Sequence, residues 1–331
     1  MLLNKNIKII LNYFLGPLVF LFLFYSIYQQ VLRQHNWQQS FHQIKLAISS
    51  DQQWKLWIVL LLMPVNWGLE ARKWQLSIRE LEHIPFSKAF RATLTGVTIA
   101  SFTPNRIGEY LGRMLYVQEG KRAQSIPLTI ICSLAQFIVT MITGWIGIFY
   151  LQQYLHVQTL TQQPTIQVLL RISLIGISFV IIIVAIFYFR LSSLVRLLER
   201  LRLGKYTTFV KVLKDVKRIV QFNILFLSFG RYVVFILQYF LLFSLFGVAL
   251  SWGQTFAGVS VMFLVMAVVP TLTFLTDLGL RWEASIQIIQ LFNPNTTDIF
   301  AVSFGIWLIN LIIPALIGSL LILRIKLFRS R

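Results

Sequence analysis

The residues best placed to do chemistry lie together at Thr103-Pro104-Asn105-Arg106-Ile107-Gly108-Glu109-Tyr110-Leu111-Gly112-Arg113. Three charges, a helix breaker and two glycines fall within eleven residues, between apolar runs that read as membrane-embedded. A charge at bilayer depth costs about 2.5–3.5 kcal/mol on insertion scales, so such a cluster marks a site. From Pro104 onward, Arg106, Glu109 and Arg113 fall at i, i+3 and i+7, one face of a helix. A second cluster follows Pro270, where Asp277, Arg281 and Glu283 stand within seven residues. Arginine presents a planar fork suited to bidentate contact with phosphate. Arg106, Arg113 and Arg281 are therefore candidate ligands of an anionic headgroup. Glu109 and Glu283 either orient those arginines or meet a cationic group on the substrate, and Asp277 has the spacing to pair with Arg281.

Positioning these groups requires broken helices. Pro104 disfavours helical geometry in the residue before it, and Thr103 can cap a new helix with Pro104 at its first position. The first helix is expected to stop at about Phe102 and restart, its positive dipole end near two guanidinium groups. Gly108 and Gly112 form a small-xxx-small step suited to close helix packing. Residues 86–120 then read as a re-entrant hairpin, rich in small residues on its first arm and too charged on its second to face lipid.

The chain has 331 residues, of which 57% are hydrophobic and 12% charged, against about 25% charged in soluble domains. Several apolar windows reach the roughly 20 residues a bilayer demands. An all-α, polytopic membrane protein follows, organised as one integral membrane domain over residues 1–331. The net charge of +19 fits basic cytoplasmic loops near anionic headgroups. Nucleic acid is a poor partner, since the basic residues sit in short loops between spans. Cys132 is the single cysteine, which precludes an internal disulfide and suits a small packing residue. His35, His42, His83 and His156 show no ligand spacing, so neither a metal nor a cofactor is expected. No cleavable signal peptide is evident.

Full spans are expected at about 9–32, 54–74, 126–151, 167–190, 221–248 and 299–323. Residues 33–53 are expected to lie along the interface. Trp54, Trp57 and Trp74 suggest an interfacial belt around the second span, and Pro64 a kink within it. The most basic stretch, 190–218, reads as a cytoplasmic loop helix. A second interrupted region breaks at Pro270. The charge rule puts 71–91, 190–218 and both termini in the cytoplasm and the Lys/Arg-free loop 152–166 outside. These assignments agree only if both interrupted regions return to their own side. The result is six spans plus two re-entrant hairpins, as pseudo-repeat halves 1–152 and 167–331 of opposite orientation. Inverted repeats of this kind place their sites where broken helices meet near the midplane.

From about Asn66 to Gly147 the chain resembles the transmembrane region of the lysylphosphatidylglycerol synthase and flippase family, on Arg72, Pro104, Arg106, Gly108, Glu109 and Arg113. Pro270, Gly279, Arg281 and Glu283 are similar to that family's later Pro…Gly…Glu element. There are two departures. Nothing after Arg331 corresponds to the soluble aminoacyl-transferring domain, which removes the case for lipid aminoacylation. Thr271-Leu272-Thr273-Phe274-Leu275 also stands where a glycine-rich run is expected, which leaves the substrate open.

The expected function is a lipid translocator in a bacterial cytoplasmic (inner) membrane. It would move an anionic or zwitterionic lipid, an aminoacylated phospholipid or a lipid-linked intermediate. Three alternatives stand beside it. The charges can lock two hairpin tips together with nothing passing, since buried charges are usually paired. The chain can be a non-transporting partner of an envelope lipid- or glycan-modifying enzyme. A membrane-embedded transferase with Glu109 as base is disfavoured, because no nucleophile–base pair or phosphate-cradling glycine loop accompanies it. Arg72 and Arg231, near span ends, read as side chains that snorkel to headgroups.

Overall fold

In the computed structural model, the residues described are 49–101, 103–157, 164–191, 211–269, 274–293 and 296–322, with a few isolated positions besides. The first expected span and most of the interfacial segment 33–53 lie outside them, as does most of the basic stretch 190–218. The described residues are mostly helical, with no strand among them. They form α1 (Trp54–Ser77), α2 (Phe86–Ala100), α3 (Gly108–Met114), α4 (Arg122–Val157), α5 (Pro164–Phe189), α6 (Arg218–Leu245), α7 (Trp252–Val268), α8 (Phe274–Ile289), α9 (Thr296–Trp307) and α10 (Ile313–Ile322). The segments Glu119–Tyr154, Gln167–Phe189, Arg218–Leu245 and Asp298–Ile322 are long and apolar enough to cross a bilayer. The chain is a helical membrane protein. Helix α1 has 24 residues but carries Lys55, Glu70, Arg72 and Lys73, so it is the least lipid-like of the long helices.

Helices α2 and α3 are the two arms of the first interrupted region, and they fold back on each other. A Cβ built on Gly112 would lie 2.5 Å from the Gly96 Cα, and one on Gly108 would lie 2.4 Å from the Ile99 carbonyl oxygen. The glycine pair therefore brings the two arms together backbone to backbone, as their spacing suggested. Between the arms, Pro104–Arg106 makes a single 3-10 turn. Thr103 is extended, and its hydroxyl accepts from the Gly108 N–H at 2.7 Å. The expected cap is present, but it serves α3 across the turn. Arg106 has φ +58°, so the charged face is not one continuous helix. The restarted helix ends at Met114.

The other face of α2 meets α10. A Cβ on Gly318 would lie 2.2 Å from the Leu94 carbonyl oxygen, and the Thr98 hydroxyl donates to the Ala315 carbonyl at 2.7 Å. A comparable seam joins α7 to α4, where Gly147 admits Ser260 and the Ala257 carbonyl. Helix α7 starts from a capping box: the Ser251 hydroxyl accepts from the Gln254 N–H at 3.2 Å and the Gln254 side chain accepts from the Ser251 N–H. It packs on α8, and α1 packs along α6. Between α9 and α10 the helix widens into a π turn at Leu308–Ile312. There Asn310 donates to Gln238 at 3.0 Å, and Gln238 donates to the Val59 carbonyl at 3.0 Å. This buried polar chain joins α9–α10, α6 and α1.

Candidate functional site

The site is built on α1. Asn66, Glu70 and Lys73 stand at i, i+4 and i+7, which aligns them on one face, and all three are buried. Glu70 is 4% exposed and gathers three cations from three helices. Its Oε2 receives Lys73 Nζ at 2.8 Å and Arg231 of α6, while its Oε1 receives Arg113 of α3 at 2.9 Å. Burial of a carboxylate is tolerated only with such partners. Arg231 also donates through Nε to Asn66 Oδ1 at 2.6 Å. Its guanidinium lies over the Trp67 ring, 5.3 Å from the centroid, and 5.7 Å from that of Phe235.

The hairpin supplies the second carboxylate. Glu109 Oε1 pairs with Arg113, and Glu109 Oε2 sits 3.9 Å from Arg106 Nε. Arg113 is thus shared between Glu70 and Glu109 and is 1% exposed. Arg106 is the open member, its side chain 50% exposed. Together these groups border a cavity of about 280 Å³, near the lower end of small-molecule sites, about 300 Å³. Glu70, Lys73, Arg106, Glu109 and Arg231 line it, with Trp67 and Tyr110 beside them. Ser133, Gln136 and Thr140 of α4 and Ala267 of α7 complete the lining, with Lys73 donating to Gln136 at 3.4 Å.

Of the residues singled out from the sequence, Arg106, Glu109 and Arg113 form one connected group. Arg281 and Glu283 are not among the described residues that line this cavity. Arg281 donates to the Tyr239 hydroxyl at 3.1 Å, and Glu283 is exposed and accepts from Gln287 at 2.9 Å. Pro270 and the side chain of Asp277 lie outside the described residues. Two other expectations change. Arg231 does not snorkel: it is held between Glu70, Asn66 and Trp67. Trp74 is no belt residue, being fully buried with its Nε1 donating to Thr129 at 3.0 Å. Trp54 and Trp57 are exposed, as a belt requires. Arg72 is exposed and donates to Gln75 at 2.5 Å.

Glu70 and Lys73, the centre of the arrangement, were not singled out. The available signal was a carboxylate inside an apolar helix with Asn66 and Lys73 on its own face. Among the described residues, no three His, Cys, Asp or Glu side chains gather as metal ligands.

The sequence profile of the lysylphosphatidylglycerol synthase TM region matches residues 9–318. No curated protein and no solved structure matches the chain. With nearly its whole length matched, the chain belongs to the lysylphosphatidylglycerol synthase TM region family.

Proposed function

We propose that this member of the lysylphosphatidylglycerol synthase TM region family is a lipid translocator, which holds the phosphate of a lipid headgroup in the α1–α3–α6 cavity while passing it between leaflets. One observation carries the reading: three cations, Lys73, Arg106 and Arg231, line a single cavity with Glu70 and Glu109, and a fourth, Arg113, stands behind both carboxylates. Structural ion pairing alone needs no cavity and no surplus of charge. Preformed guanidinium and ammonium donors in a bundle interior suit a phosphate, since desolvated charge-assisted hydrogen bonds are the strong ones.

The packing supports an inverted-repeat organisation. Helix α2 of the first interrupted region rests on the last helix of the second half, and α7 rests on α4, the last helix of the first half. The two helices that precede these regions, α1 and α6, pack against each other. In this reading the α2–α3 and α7–α8 pairs are re-entrant hairpins from opposite faces. The termini lie in the cytoplasm of a bacterial inner membrane.

The test is a leaflet-resolved assay in proteoliposomes carrying labelled phospholipid. The wild-type chain is expected to accelerate exchange between leaflets, and Arg106→Ala and Glu109→Ala to abolish the gain at unchanged expression. Glu109→Ala leaves Arg113 paired with Glu70 and should fold. Exchange at the protein-free rate, or variants as active as wild type, would overturn the assignment.

A further inference from the structure

We infer that the cavity, on the translocator reading just given, selects a headgroup carrying two net negative charges on phosphate, a monoester or diphosphate, over an aminoacylated headgroup of net positive charge. Lys73, Arg106 and Arg231 line the cavity and Arg113 stands behind it, and among the described residues the carboxylates paired with these four cations are Glu70 and Glu109, which leaves two positive charges to be met from outside. Uncompensated cations in a low-dielectric interior are unfavourable until an anion joins them.

The places where an ammonium could bind are taken. Both oxygens of Glu70 and both oxygens of Glu109 already have a cationic partner. The face of Trp67, the other natural seat for a cation, carries Arg231. An incoming lysyl group would have to displace a resident guanidinium or ammonium, whereas a phosphate only completes the set. Arg106 is the group free to turn toward it: its pair with Glu109 is loose at 3.9 Å and its side chain is half exposed. Lys73 and Arg231 offer donors from the cavity floor. Ser133, Gln136 and Thr140 stand at i, i+3 and i+7 on α4 in the same lining, with Gln136 accepting from Lys73 at 3.4 Å, a polar face for the hydroxyl or ester oxygens of the headgroup.

The test uses the full chain in phosphatidylcholine nanodiscs and proteoliposomes. Binding and leaflet exchange are measured for short-chain phosphatidic acid, phosphatidylglycerol and lysylphosphatidylglycerol, with inorganic phosphate as competitor. Phosphatidic acid is expected to bind about tenfold or more tighter than phosphatidylglycerol, and the lysylated lipid weakest. Arg106→Gln, at an exposed turn, should compress the first preference to within about threefold. Lysylphosphatidylglycerol bound or moved as well as phosphatidic acid would overturn the inference and leave translocation standing. The expected binding order without leaflet exchange would uphold the inference and remove translocation. Full competition by inorganic phosphate with no binding of phosphatidic acid would assign the site to soluble phosphate and overturn the lipid source.

Discussion

Replacing Arg106 separates what the turn needs for folding from what the cavity needs for binding. Arg106 sits at φ +58°, a left-handed geometry that costs a side-chain-bearing residue about 1–2 kcal/mol and glycine almost nothing. Arg106→Gly recovers that strain. It gives up part of the gain to the greater freedom of glycine in the unfolded chain, about 0.5–1 kcal/mol. It also loses a half-exposed ion pair at 3.9 Å, worth about 0–1 kcal/mol. The sum places the glycine variant within about 1 kcal/mol of wild type. Arg106→Ala keeps the strain and loses the same pair, so it should be less stable than Arg106→Gly by about 1 kcal/mol. Binding should rank the two alike. Each removes a charge-assisted hydrogen bond worth about 1.5–3 kcal/mol, a loss of roughly tenfold to hundredfold in affinity for a phosphate headgroup. Thermal unfolding in detergent and lipid binding in nanodiscs on the same preparations give both readouts. If Arg106→Gly binds like wild type, or if the alanine variant is the more stable, the strained arginine is not held there for a ligand.

Three further outcomes follow from the packing. Glu70→Gln removes the carboxylate shared by Lys73, Arg113 and Arg231 and should lower stability by about 3–5 kcal/mol. Pairing it with Arg231→Gln should cost less than the sum of the two, as a double-mutant cycle would show. Gly112→Ala and Gly318→Ala push a Cβ against backbone at 2.5 and 2.2 Å and should each destabilise by about 1–3 kcal/mol. Gly176→Ala, inside α5 with nothing within 4 Å, should instead raise the melting temperature, recovering the roughly 0.5–1 kcal/mol that glycine costs within a helix. Thr98→Val removes the hydroxyl bond to the Ala315 carbonyl, with an expected loss of about 0.6 kcal/mol in thermal unfolding.

The hairpin was legible in the sequence because its signals are local. Pro104 with Thr103 marks a break, and Gly108 with Gly112 marks a contact face, whatever the rest of the chain does. Arg106, Glu109 and Arg113 were legible for the same reason. Glu70, Lys73 and Arg231 were not, because their meaning lies in the packing of α1 against α6 and of α3 beside both. Read alone, Lys73 and Trp74 look like the end of a span at the interface, and Arg231 looks like a side chain reaching for headgroups. Only the tertiary arrangement shows that α1 continues to Ser77, with Lys73, Trp74 and Ser77 buried. Arg281 and Glu283 are two positions apart, about 200° around α8, so one helix does not aim both into a single cavity, which their closeness in sequence hid.

Helix α2 is held on one side by α3 and on the other by α10, with glycine in each seam. Helix α10 therefore clasps a segment synthesised more than two hundred residues earlier. During synthesis the small-residue face of α2 and the Thr98 hydroxyl must wait, without their final neighbour, until α10 has emerged from the ribosome and entered the bilayer. Assembly of the cavity beside α3 is thereby tied to the arrival of α10, and a nascent protein arrested before Ile313 lacks one of the two helices that hold α2.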